Sequence, residues 1–363
     1  LVRIIVDGKE LFGFSTITVD LLFNAFASTF SFDGEKDIVP KLLKFQVVEI
    51  FHENTLLLTG VVLSHNLSSG KNPTLRAISG YSITGKLQDC SLPLIGSSEY
   101  TSTSILEVSE LASQLLGIKT KFDDDASDAM NAIIPKIIFE PGESYKKSIE
   151  SHATQKGLYI THTPQGELLY KKGDISKQSP VLTFTDKNTE SMSLLVNGQM
   201  MHSDISVLRQ ATIDDLDSFD YLSGDETIKN PLIEGIQGSY EDYFFGDENS
   251  DSDGVPVGLK PIPSSFRPIV ILLKDGDPLD AKTAARAKLA SELKEVKLTI
   301  SAKIFVNKGE VINVRNEEIE INNNTEFFIE AVNIKEKKDS INYVYTCVLK
   351  GVYTNEEVKN VFE

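Results

Sequence analysis

The sequence predicts a mainly β protein with an α+β insertion: two β-barrel-type domains and, between them, a small helix–hairpin domain. Three observations carry this reading. Apolar residues at every second position recur through residues 15–63 and return after residue 181, the period of a strand with one buried face. Residues 104–157 change to helical spacing, with glycines at the helix ends. At 363 residues, with 40% hydrophobic and 25% charged residues, the chain is too long for one ordinary core and too apolar for disorder. The expected domains are 1–92, 93–180 and 181–363, the last with an acidic excursion at 211–265.

The elements follow in order. Ile17, Val19 and Leu21 alternate with polar neighbours, and Phe26, Ser28, Phe30 and Phe32 line one face of the next segment. Residues 45–51 and 56–63 flank His52-Glu53-Asn54, a hairpin turn, and residues 75–78 make a further strand. Ser104 with Glu107 three residues later is a capping box; Ile105, Val108, Leu111, Ala112 and Leu115 then recur at helical spacing until Gly117 stops the run. A second helix over 144–156 puts Tyr145, Ile149 and Ala153 on one face and ends at Gly157. Residues 158–161 and 167–170 form a hairpin around Thr163-Pro164-Gln165-Gly166. Strands resume at 182–185, 191–195 and 200–208. A helix over 279–293 starts at Asp277-Pro278, and strands at 297–306, 311–314, 326–334 and 341–349 close the chain. No short-period repeat is present, which argues against a solenoid or propeller.

Composition narrows the function. The net charge of −17 is uneven: residues 211–255 hold 13 Asp and Glu against one Lys, Lys229. Such a surface repels phosphates and disfavours DNA or RNA binding, and leaves open a protein that DNA slides past without sticking. The longest apolar run, residues 269–273, is far short of a membrane helix. No signal-peptide pattern follows the first residues, so the expectation is a soluble protein made in the cytoplasm, unless processing has removed something upstream. Cys90 and Cys347 form no CxxC pair and read as buried free thiols.

Catalytic motifs fail one by one. His52, His65, His152, His162 and His202 form no HExxH or zinc spacing, and each reads as a surface or turn histidine. No Gly-x-Ser-x-Gly is present, and Ser97-Ser98 after Gly96 is followed by Glu99. The phosphate cradles of the Walker and Gly-x-Gly-x-x-Gly types are missing. Asn249, Asp251, Asp253 and Gly254 imitate the start of a calcium loop, but Lys260 stands where its bidentate Glu belongs, so a solvated acidic loop is the reading. No catalytic, cofactor-binding or metal residue is assigned, and no cofactor is expected.

Three blocks carry a resemblance. The first is Gly80, Leu87, Asp89, Cys90 and Ser91 within residues 78–91; the second is Gly142-Glu143-Ser144 with its helix, Gly157 and the hairpin at Gly166. The third is Arg267-Pro268-Ile269-Val270 with the alanine-rich helix around Ala284, Ala285 and Ala287. In this order they resemble the baseplate hub proteins of contractile phage tails, of the phage Mu and T4 hub type, akin to the late control gene D family. Two departures stand out: Tyr81 occupies a position where that family usually has arginine, and the tryptophan common in its final barrel is absent.

The resemblance implies a non-enzymatic structural role in the virion tail baseplate, after synthesis in the bacterial host cytoplasm. It implies a homotrimeric ring adapting a sixfold tail tube to a threefold central spike. Its partners would be the tail tube and spike proteins, with baseplate wedge and tape-measure proteins as further candidates. Genomic DNA would pass without specific binding, and no direct membrane insertion is implied. The hub of a tailocin or contractile secretion system is the same-architecture alternative. A carbohydrate-active tail enzyme or adhesin is the alternative of another class, against which the lack of Trp argues.

Overall fold

The computed structural model describes residues 1–35, 44–68, 75–91, 98–172, 178–209, 224–233, 263–273, 281–338 and 340–354. The first strands are β1 (Val2–Val6), β2 (Lys9–Leu11), β3 (Thr16–Leu22), β4 (Thr29–Glu35), β5 (Val47–His52), β6 (Thr55–Ser68) and β7 (Leu75–Ser82). Next come α1 (Lys86–Asp89), β8 (Glu99–Thr103), α2 (Ile105–Leu115), β9 (Thr120–Phe122), α3 (Ser127–Asn131), β10 (Ile134–Ile138), α4 (Tyr145–Gln155), β11 (Leu158–His162) and β12 (Leu168–Lys172). They are followed by β13 (Thr183–Thr185), β14 (Ser191–Val196), β15 (Asp204–Arg209), β16 (Gly224–Lys229), β17 (Pro268–Leu273) and α5 (Ala281–Leu293). The last elements are β18 (Val296–Ala302), β19 (Val311–Asn316), β20 (Ile321–Lys337), β21 (Ser340–Leu349) and α6 (Gly351–Thr354). The chain divides into two compact units. Unit 1 holds Leu1–Ser193, Leu298–Arg315 and Glu326–Cys347; unit 2 holds Leu194–Lys297, Asn316–Thr325 and Val348–Glu363.

The architecture is mainly β with an α+β insertion, as the sequence predicts. Strand periodicity is visible residue by residue: β3 buries Ile17, Val19 and Leu21 and turns the residues between them outward. Thirteen strands belong to one sheet ordered β14-β18-β21-β20-β3-β4-β7-β6-β5-β1-β2, with β19 pairing β20 and β13. The join at its middle is antiparallel pairing of β3 with the second half of β20, where Val19 faces Ile334 and Leu21 faces Val332.

The barrel expectation needs correction. Strands from both ends of the sequence share one sheet, and among the described residues its outer strands β14 and β2 do not pair with each other, so no barrel closes. Alternating sequence fixes which face of a strand is buried, but closure depends on strand number, tilt and stagger, which short-range periodicity does not encode.

Two glycines explain how β4, β6 and β7 approach so closely. The Phe30 ring lies across Gly60 and Gly80 on the neighbouring strands. A Cβ at Gly80 would stand 2.6 Å from that ring and 1.9 Å from the Val61 carbonyl oxygen, which is backbone and cannot swing aside.

The insertion within unit 1 packs α2, α3 and α4 on the sheet β11-β12-β9 and the β8–β10 pair. The capping box forms as the sequence predicts: Glu107 N–H donates to Ser104 Oγ at 3.2 Å, and Ser104 N–H donates to Glu107 Oε2 at 3.1 Å. Tyr145, Ile149 and Ala153 of α4 are buried together with Ile105, Val108 and Ala112 of α2. In this core the Tyr170 hydroxyl meets Ser109 Oγ at 2.7 Å and the Tyr145 hydroxyl at 3.2 Å, and burial pushes its pKa up to about 12. The β11–β12 hairpin turns through Gly166 at φ 83°, whose N–H donates to Thr163 O at 3.0 Å.

In unit 2, β16-β15-β17 form a three-stranded sheet in which β15 and β17 run parallel. Ile205 and Val207 of β15 and Ile269 and Ile271 of β17 face α5, whose Ala284 and Ala285 allow close approach. The predicted helix start at Asp277-Pro278 lies outside the described residues.

Gly80→Ala is expected to destabilise the protein by about 3 kcal/mol or more, because the methyl collides with backbone and not with a movable side-chain end. Urea unfolding measures it; a loss within the ordinary surface range of about ±0.5 kcal/mol would contradict the packing described.

Candidate functional site

The three sequence blocks sit at joints between elements. Gly80 lies in β7 under Phe30, and Gly85 lies against the Tyr81 ring, where a Cβ would come within 2.4 Å of Tyr81 Cδ2. The chain then turns through a 3₁₀ segment at Ile83–Gly85 into α1, which ends at Asp89. Tyr81 hydrogen-bonds Asp89, and its pKa is raised by burial and by that carboxylate. The exit Cys90-Ser91 reaches the second block directly: Ser91 pairs with Ser144 as an isolated bridge, and Tyr145 N–H donates to Cys90 O at 3.2 Å. Glu143, beside Ser144, accepts from Ser148 Oγ at 2.6 Å and from Lys147 Nζ at 3.0 Å. These bonds hold its carboxyl below the ordinary value.

The third block is a clamp inside unit 2. Arg267 donates both guanidinium nitrogens to backbone carbonyls, Nη1 to Gly198 O and Nη2 to Gln199 O, each at 2.7 Å. Its own N–H donates to Ser203 Oγ at 2.9 Å. Beside it, Glu292 of α5 is buried and accepts from His202 N–H at 2.8 Å, His202 Nδ1 at 2.6 Å and Lys288 Nζ at 3.1 Å. Fork geometry that matches two fixed acceptors is a task for which arginine, unlike lysine, is preorganised.

The histidine reading is corrected at two positions. His52 is buried against Phe305 and meets Tyr343 Oη at 2.7 Å; burial pushes its pKa down. His162 is buried in unit 1, 3% exposed. Its Nδ1–H donates to Ala25 O at 3.2 Å, leaving Nε2 to accept from Lys308 Nζ at 3.1 Å. Lys308 also donates to Leu22 O at 2.6 Å. Burial lowers the His162 pKa to about 3, with the Lys308 amine as second cause. Neither position is marked in sequence, because burial of a histidine depends on which distant strand covers it.

Among the described residues, no cluster of three or more His, Cys, Asp or Glu could hold a metal. The calcium-like residues 249–254 and Lys260 lie outside the described residues, as do residues 92–97 and most of the acidic stretch. Cys347 is buried and its pKa raised by that burial, whereas Cys90 is only half-buried; both thiols are free. No helix is long and apolar enough to cross a membrane among the described residues.

Two exposed features carry apolar residues. In unit 2, Val270 and Leu272 of β17 are 59% and 56% exposed on the face opposite α5. Among the described residues β17 has a partner on one edge only, β15. In unit 1, Val181, Leu182, Ile304, Phe305, Val306 and Asn307 line an open depression of about 340 Å³. Exposed apolar residues on a strand with a free edge mark a place where another chain can add.

At the level of sequence, no protein-family model and no curated protein matches the chain. At the level of structure the likeness runs end to end. The 43 kDa tail protein of prophage MuSo2 from Shewanella oneidensis superposes with a TM-score of 0.73 at 14% identity, covering 97% of this chain and 99% of that one. The tail protein from Neisseria meningitidis MC58 gives 0.72 at 21% identity, covering 97% of each chain. A component of the type VI secretion system of E. coli, described as structurally similar to T4 bacteriophage tail proteins gp27 and gp5, gives 0.55 at 8% identity. That match covers 99% of this chain and 80% of that one. The chain therefore has the fold of these tail proteins.

Arg267→Lys should cost about 1 kcal/mol in urea unfolding, since one ammonium cannot serve both carbonyls; an unchanged midpoint would show that the clamp carries no stability. The His162 value in the folded chain lies below its unfolded value of about 6.5, so its contribution to stability is complete above that pH and is lost as pH falls toward about 3. Between pH 6.5 and 5 this amounts to about 2 kcal/mol, and His162→Gln should remove that part of the slope. Equal slopes in the two proteins would contradict a buried neutral imidazole.

Proposed function

We propose that this chain is the structural baseplate hub of a contractile phage tail. It forms a homotrimeric ring between the sixfold tail tube and the threefold central spike, and lines the channel through which genomic DNA passes. The observation that carries the proposal is the end-to-end likeness to the Shewanella prophage tail protein, 97% of one chain and 99% of the other. Such coverage concerns the whole architecture and not one shared module. The role is binding and not catalysis: Tyr81, Glu143 and Arg267 of the three sequence blocks each hold a joint.

A ring closes only if each subunit carries two different surfaces that fit each other, and the apolar edge of β17 is a candidate for one of them. The net charge of −17 suits a channel wall that repels phosphates. Baseplate wedge and tape-measure proteins are further partners, the site of action is the virion tail, and no membrane insertion is involved. A second reading has its own support: the likeness to the E. coli secretion component covers 99% of this chain, so the hub of a tailocin or contractile secretion system fits the same geometry. The remaining alternative, a carbohydrate-active tail enzyme or adhesin, lacks tryptophan for a sugar-stacking platform.

A reconstruction of the assembled particle tests the proposal. Three copies of this chain are expected where tube meets spike, with subunit interfaces well above the ~1,600 Å² of a standard complex. Six copies there, or none, would overturn it.

A further inference from the structure

We propose that Asn197-Gly198 is a self-modification site, at which the Asn197 amide converts to a carboxylate through a succinimide, and that the Arg267 clamp keeps it unreacted. The pair is the one Asn-Gly in the sequence. Glycine after asparagine leaves the peptide nitrogen between them unshielded, because no Cβ stands beside it. In the reaction Gly198 N bonds to Asn197 Cγ and the Cγ–Nδ2 bond breaks. Ammonia leaves, taking up the proton that Gly198 N releases. Water then opens the ring, at Cγ to give aspartate or at the Asn197 main-chain carbonyl carbon to give isoaspartate. Water is the only co-reactant, and it has access: Gly198 is exposed and Asn197 half-buried.

The residues that restrain the pair all belong to unit 2. Attack requires the Asn197 side chain and the Gly198 peptide to rotate toward each other, and both are held. Asn197 Oδ1 accepts from Gln199 N–H at 3.1 Å, and Nδ2 donates to Glu295 Oε2 at 3.5 Å. The Asn197 main-chain N–H donates to Glu295 O at 3.4 Å. Gly198 O accepts from Met201 N–H at 3.2 Å and from Arg267 Nη1 at 2.7 Å, while Arg267 Nη2 takes Gln199 O. Arg267, 69 residues away in sequence, therefore closes the 3₁₀ turn Gly198–Met200 from outside. It restrains the residue whose freedom makes the pair reactive. Conversion would undo the joint it sits in, because a carboxylate at 197 replaces a donor to Glu295 with a like charge.

The test uses the full chain, incubated in mildly alkaline buffer either folded or unfolded in guanidinium chloride. Mass spectrometry of the peptide holding residue 197 follows conversion of the amide to aspartate and isoaspartate. Conversion should be at least about tenfold slower in the folded chain than in the unfolded one. Arg267→Lys should speed it at least about fivefold in the folded chain and leave the unfolded rate unchanged. Equal rates in folded and unfolded chains, no conversion in the unfolded chain, or a folded rate indifferent to Arg267→Lys would overturn the proposal. A second arm needs no change at Arg267. Asn197→Asp should lower the urea midpoint, and Glu295→Gln added to it should recover at least about half of that loss. An Asn197→Asp chain as stable as the wild type would contradict the account. Where Arg267→Lys does not fold, the comparison of folded with unfolded wild type and this second arm decide.

Discussion

The antiparallel register between β3 and β20 is the constraint on which unit 1 depends. Thr16–Leu22 and the end of a 17-residue strand, β20, lie more than 300 residues apart in sequence, yet Leu22 faces Ala331 and Thr16 faces Lys337. Bringing such distant segments together costs loop entropy before any contact rewards it. The reward is burial: Val19, Leu21, Val332 and Ile334 are all shielded from water. A slip of one residue would turn that apolar set outward. The connection after β3 inherits its position from this register, and through it Leu22 and Ala25 meet Lys308 and His162.

The joints around that sheet use small residues and fixed donors in place of large apolar contacts. Gly80 lets Phe30 cross, Gly85 lets Tyr81 lie flat, and the Ser91–Ser144 bridge ties the exit of β7 to the start of α4. In unit 2, Arg267 does comparable work with two backbone carbonyls, and Glu292 with three donors. The residues fixed in this way within the three blocks serve as devices of shape. This is the pattern of a part that has to present surfaces in fixed positions, the same demand that a hub in a tail would make of it.

Much of the local structure was legible in the sequence, and its limits have physical causes. The capping box at Ser104 and Glu107, the α4 face of Tyr145, Ile149 and Ala153, and the Thr163–Gly166 turn are short-range features that one segment specifies alone. The short strands β8, β9 and β10 escaped because three to five residues carry too little periodicity. Parallel pairing of β13 with β19 and of β15 with β17 has no local signature either. Barrel closure was the wrong inference from correct strands, since the β3–β20 join is set by partners far apart. Of the candidate sites, the three blocks were found in sequence but the contact between the first two was not. His162 looked like a surface residue because nothing near it in sequence announces the strand connection that covers it.

Native-state hydrogen exchange of the full chain tests most directly whether one chain-spanning sheet organises unit 1. Amides of Val19, Leu21, Val332 and Ile334 should exchange with one common opening free energy, close to that of the whole unit, because neither strand can open without exposing the other. If β3 to β7 opened as an independent group while β18 to β21 kept their protection, the β3–β20 join would not be what holds the fold together.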